Sequence, residues 1–227
     1  MERAFKYVED VESGKIVTNY EIKLAVKRFK RDLKKFTLDE DTAQKAIIFT
    51  ELLRFSKGKK AGQRIVWEDW QIFVLVNIFG FHHKRSGKRR FRYFYIEVAR
   101  KSGKSTFLAA IGLVFLTQFD EAIPECYAGA STELQAEPVF KEMSRMVNRL
   151  RVDFKEMDEK FAVFKKSIVF NDGENEGIFQ MVSSNAPALD GLNPFCTILD
   201  ELHSHKDSSL LMYSSQVEAH AIITRHL

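Results

Sequence analysis

Residues 92–106, Arg92-Tyr-Phe-Tyr-Ile-Glu-Val-Ala-Arg-Lys-Ser-Gly-Lys-Ser-Thr106, run from an aromatic, apolar stretch through Gly103-Lys104-Ser105 into the apolar run Thr106–Phe119. The composition of Tyr93–Val98 predicts a buried strand, and the run that follows has the length of a helix. Strand, tight loop and helix in that order form a phosphate grip. Backbone N–H groups at the helix start surround phosphate oxygens, the Lys104 ammonium reaches the outer phosphates, and the Ser105 hydroxyl can hold Mg²⁺. The complete pattern carries a further glycine five residues before Gly103, where this chain has Val98. A surface turn that happens to contain Gly-Lys-Ser is the structural alternative, and the flanking strand and helix speak against it. ATP or GTP chemistry follows as the first expectation.

Working outward, the stretch Phe195-Cys196-Thr197-Ile198-Leu199-Asp200-Glu201 is mostly apolar and stops at two acids. A strand ending this way puts Asp200 where it can bind Mg²⁺ opposite Ser105, with Glu201 directed at the water that attacks the γ-phosphate. Read alone, Asp200-Glu201 would equally suit a helix cap and first-turn acid. Its pairing with the upstream loop favours the catalytic reading.

The rest of the chain alternates strand and helix patterns. Glu68–Phe81 reads as a helix, Glu125–Ala130 as a strand, Thr132–Leu150 as a helix, and Ser167–Phe170 with Gly177–Val182 as strands around an Asn171-Asp172-Gly173 turn. Leu210–Val217 reads as a helix and Ala219–Thr224 as a last strand. The alternation predicts an α/β fold with a mostly parallel, three-layer sheet. Upstream, Ile22, Val26, Phe29, Leu33 and Phe36 fall near a 3.6-residue period with lysines around them, and residues 40–56 form another helix. The glycines of Ser56-Lys57-Gly58-Lys59-Lys60-Ala61-Gly62 set the expected boundary: a helical segment over residues 1–60 and a nucleotide-binding domain over residues 61–227.

Composition narrows the remaining classes. With 45% hydrophobic and 29% charged residues the chain should fold. Its 35 basic and 31 acidic residues give a net charge of +4, which suits a polyanionic partner without establishing one. The basic turn Lys84-Arg85-Ser86-Gly87-Lys88-Arg89-Arg90 reads either as a solvated connector or as a phosphate-backbone contact. Cys126 and Cys196 lack the spacing of a zinc site or disulfide framework, and His203 and His205 lack a third ligand. No signal sequence opens the chain, and neither Gln71–Phe81 nor Phe107–Phe119 reaches the ~20 apolar residues of a membrane span, so a soluble intracellular protein is expected.

Taken together, these residues resemble the N-terminal ATPase region of tailed-phage terminase large subunits, over nearly all 227 positions. The resemblance is carried by Ser13-Gly14-Lys15-Ile16-Val17 and the basic helix after it, by Glu68-Asp69-Trp70-Gln71 with Ile78-Phe79-Gly80-Phe81, by Val98–Thr106, and by Asp190-Gly191-Leu192-Asn193-Pro194 leading to Ile198-Leu199-Asp200-Glu201-Leu202-His203. It implies a P-loop NTPase fold of the additional-strand, catalytic-glutamate class, hydrolysing ATP with Mg²⁺ to drive double-stranded DNA into a procapsid. The nucleotide loop would be Arg100, Lys101, Ser102, Gly103, Lys104, Ser105 and Thr106, with Arg100 as an arginine finger in cis and Lys104 and Glu201 catalytic. Gln71 would read adenine, with Trp70 beside it. Implied partners are the portal protein, the small terminase subunit and further copies in a ring. A coupling segment would fall at Ile222-Ile223-Thr224. The family's nuclease domain would lie beyond Leu227, so DNA cleavage is not expected of this chain. A helicase-like P-loop ATPase and a nucleotide-gated docking module are the alternatives.

Overall fold

The computed structural model describes residues 1–99, 101–117, 123–130, 133–183, 193–200 and 220–226. The chain divides into two compact units, Met1–Glu51 with Val66–Phe91, and Leu52–Ile65 with Arg92–Leu227.

The first unit holds helices α1 (Glu2–Glu12), α2 (Tyr20–Lys35), α3 (Glu40–Leu52) and α4 (Asp69–Gly80), with short strands β1 (Thr37–Leu38) and β2 (Phe81–His82) paired antiparallel. Asn19 caps α2 by accepting from the Ile22 N–H at 3.0 Å, as a short polar side chain does at a helix start. The predicted apolar stripe buries Val26 and Phe29. Phe29 lies 5.3 Å from both Phe73 and Phe81, and Phe73 lies 5.3 Å from Tyr7, so aromatic rings make the centre of this core. Trp67, 3% exposed, donates its indole N–H to Thr50 Oγ1 at 2.9 Å.

The second unit is built on a sheet of strands β3 (Tyr93–Val98), β4 (Glu125–Ala130), β5 (Phe161–Val163), β6 (Ser167–Asn171), β7 (Glu176–Ser183), β8 (Pro194–Leu199) and β9 (His220–His226). Their order is β3-β9-β8-β4-β7-β6-β5. The strands from β3 through β7 are parallel, and β6 and β5 extend the sheet antiparallel. β9 is therefore an additional strand inserted between the strand that leads into the phosphate loop and the strand that ends at Asp200. That order is the predicted fold class, a mixed α/β sheet of the P-loop NTPase type.

Helices α5 (Lys104–Thr117), α6 (Glu133–Asp153) and the short α7 (Lys155–Lys160) complete the unit. α5 is buried on every side from Thr106 to Leu116, as its continuous apolar sequence requires. Gly112 lets it approach closely: a Cβ there would stand 2.6 Å from Met143 Cε and 3.0 Å from both Ile198 Cδ1 and Phe179 Cε2.

Three sequence expectations change. β3 lies at the sheet's edge and alternates, with Ile96 buried on one face and Tyr93 43% and Tyr95 54% exposed on the other, so two of its three aromatic residues stand outside the core. The boundary expected at residue 60 falls inside Leu52–Ile65, which goes with the second unit, while α4 goes with the first. Glycines mark the turn of a hairpin there, in which Phe55 N–H donates to Gln63 O and Ile65 N–H to Leu53 O. The third is α3, which stops at Leu52 instead of residue 56, where that hairpin begins. The expected helix at Leu210–Val217 lies outside the described residues.

Candidate functional site

Beyond Val98 the backbone curls. Ser102 N–H donates to Ala99 O at 3.3 Å, and φ is positive at Lys101 (+68°) and Gly103 (+76°). A Cβ on Gly103 would meet nothing within 4 Å, so it is the backbone conformation, not space, that calls for glycine. Phe107 N–H donates to Gly103 O at 3.0 Å and opens the α5 ladder. The first turn of α5 contains no acid of its own, so the positive end of the helix is not neutralised from within the helix.

Across the sheet, Asp200 follows β8 and is 4% exposed. Lys104 Nζ stands 2.7 Å from Asp200 Oδ1, with the two side chains 3% and 6% exposed. The loop after β3 and the acid after β8 thus meet at the carboxyl ends of parallel strands, where open α/β sheets bind ligands. Ser105 is half-buried in the same first turn, while Lys101, Ser102 and Gly103 are exposed.

Thr106 turns inward. It is 8% exposed and donates its hydroxyl to Glu142 Oε1 at 3.0 Å. Glu142, 1% exposed on α6, accepts from Ser56 Oγ on its other oxygen at 2.6 Å; Lys57 Nζ lies 3.7 Å and Arg145 Nη1 4.0 Å from that same oxygen. Glu142 belongs to no sequence motif. The available signal was its place beside the stripe Val139, Met143, Met146 and Leu150, where a carboxylate needs partners to be buried.

Both predicted adenine residues belong to the first unit. Gln71 is 6% exposed and closes a capping box at the start of α4, its Oε1 accepting from the Glu68 N–H at 2.9 Å. Trp70, next to it, is half-buried. Arg100, Glu201, His203, His205 and Asp190-Gly191-Leu192 lie outside the described residues. Ile222-Ile223-Thr224 falls inside β9. Among the described residues no group of three or more His, Cys, Asp or Glu is gathered to hold a metal, and no helix is long and apolar enough to cross a membrane.

The sequence profile of the terminase large subunit ATPase domain matches residues 69–219. The crystal structure of the HK97 bacteriophage large terminase superposes with a TM-score of 0.63 at 19% identity, covering 81% of this chain and 37% of that one. The Thermus phage P74-26 large terminase ATPase domain gives a TM-score of 0.48 at 20% identity, covering 67% of each chain. The first likeness bears on the fold, and the chain spans well under half the length of the HK97 protein. No curated protein sequence matches.

Proposed function

Because this chain belongs to the terminase large subunit ATPase family, we propose that it binds and hydrolyses ATP and uses the energy to move double-stranded DNA into a procapsid. The observation that carries the reading is the buried contact of Lys104 with Asp200 at 2.7 Å, two strands apart at the carboxyl edge of the sheet. A lysine at a helix start beside a strand-end acid is the pairing that triphosphate chemistry uses.

In this proposal the amides of residues 101–106 and Lys104 hold the phosphates. The donor chemistry at Ser105 and Asp200, one hydroxyl and one carboxylate, fits Mg²⁺, which takes a few protein oxygens and completes its shell with phosphate and water. When bound, the ion would neutralise charge on the β- and γ-phosphates. Glu201 orients or deprotonates the attacking water, and Arg100 offsets charge spreading over the transferred group. Adenine recognition is assigned to Trp70 and Gln71 on the family resemblance alone. Duplex DNA, a portal, a small subunit and neighbouring copies in a ring are the partners this activity calls for.

ATP turnover measured with and without duplex DNA tests the proposal. Turnover that rises with DNA and vanishes in Lys104→Ala supports it. Absence of ATP binding by the wild-type chain would overturn it, and tight binding without any turnover would favour a nucleotide-gated docking module instead.

A further inference from the structure

We propose that Glu142 is a positioning residue of the nucleotide site, holding the first turn of α5 through Thr106 and coupling it to the tip of the hairpin Leu52–Ile65 through Ser56. The inference rests on the nucleotide reading of the Lys104 loop.

The hairpin is a defined element. Arg54 and Arg64 form an antiparallel bridge, Gly62 N–H donates to Phe55 O at 2.8 Å, and Arg54 Nη1 donates to Gly62 O at 2.8 Å. Two residues of α6 fasten it. At the base, Arg54 pairs with Asp153; near the tip, Ser56 donates to Glu142. The two acids stand three turns apart on α6, and the side chains of Arg54 and Ser56 reach apart to meet them.

Glu142 is the point where this strap meets the phosphate loop. One carboxylate oxygen takes the Thr106 hydroxyl and the other takes Ser56, with Lys57 and Arg145 close by. Thr106 lies two residues after Lys104 on the same helical turn, so the orientation of that turn and the position of the hairpin tip are fixed by one buried group. A carboxylate accepts on both oxygens; a glutamine in its place presents one oxygen and one NH₂, and the NH₂ cannot accept from Ser56 or Thr106. Displacing either end must then be felt at the other. By reciprocity, whatever ordering nucleotide imposes on the α5 turn is imposed on the hairpin too.

The test uses ADP binding and proteolysis on the full chain. Fluorescent ADP titrations are expected to show Ser56→Ala and Glu142→Gln each weakening binding by about three- to tenfold, with no further loss when combined, as for residues sharing one network. Lys59 and Lys60 at the hairpin tip are exposed, so trypsin cleavage there reports on the strap. ADP is expected to slow it in wild type and not in Glu142→Gln. Wild-type affinity in both variants, strictly additive losses, or equal ADP protection in Glu142→Gln would each overturn the proposal. Should Glu142→Gln fail to fold, the milder Ser56→Ala decides by the same two readouts. If wild-type protein binds no ADP, the nucleotide reading fails first; if it binds and the variants match it, only this inference fails.

Discussion

Lys104 and Asp200 form a buried ion pair, Nζ to Oδ1 2.7 Å, that joins the helix after the edge strand to the end of a central one. Removing one member of such a pair leaves a charge in a site built for two, at a cost of about 3 kcal/mol. Urea denaturation should show Lys104→Met and Asp200→Asn each destabilised, and the double variant less so than the sum of the two. Additive losses would mean the pair contributes nothing to the fold.

Glu201→Gln should keep nucleotide affinity near wild type while lowering kcat by about 10²-fold or more, the usual loss when a positioned acid–base group is removed. Arg100→Ala should lower kcat by about 10³-fold with a smaller effect on binding. Steady-state ATPase assays alongside ADP titrations check both, and unchanged turnover in either variant removes that residue from the proposed chemistry.

Gly103→Ala imposes a side chain on a residue at φ +76°. The strain, from the Cβ crowding its own carbonyl, is about 1–2 kcal/mol, and no clash with another part of the chain adds to it. Nucleotide affinity should fall by about tenfold while the melting temperature moves little, because the altered backbone is the exposed curl of the loop. A large loss of stability with intact affinity would contradict this.

Gly112→Ala tests the packing of α5. Alanine favours a helix over glycine by about 1 kcal/mol, but the new methyl would press on Met143, Ile198 and Phe179. Overpacking costs about 1–3 kcal/mol, so the net should be a modest destabilisation seen as a lower urea midpoint. A stabilised variant would show that these neighbours yield.

Asp39 provides a pH dependence. The Thr42 backbone N–H, donating to Oδ1 at 2.9 Å, holds its carboxyl below the ordinary value. Since the folded-state pKa is the lower one, the contribution is present above the usual carboxylate range and disappears as pH falls through the folded value. Asp39→Ala should cost about 1 kcal/mol at pH 7, typical of a lost helix cap, and clearly less near pH 3. An equal cost at both pH values would deny the charged cap.

Local patterns in the chain carried most of the fold. The residues around Gly103, the apolar α5 run and the strands at Glu125, Ser167 and Gly177 all lie where their periodicity put them, because each signal is contained in one element. Asp200 could be matched with Lys104 because a strand-end acid and a phosphate loop are complementary in chemistry. What stayed hidden depends on contacts between distant segments. The edge position of β3 follows from β9 pairing on one side of it, and the role of Leu52–Ile65 follows from Arg54 meeting Asp153 and Ser56 meeting Glu142. The short α1, whose apolar residues Tyr7, Val8 and Val11 pack in the first unit, also escaped notice beside the stronger signal of α2.

The insertion of β9 between β3 and β8 has a bearing on biogenesis. It is the last described strand to emerge from the ribosome, yet it takes an interior place in the sheet. Until it arrives, β3 and β8 each present a row of unpaired amides and carbonyls, the kind of surface that recruits stray chains. Residues 125–199 can meanwhile assemble their own ladders. The arrival of β9 would therefore be the step that joins β3 to the rest of the parallel sheet.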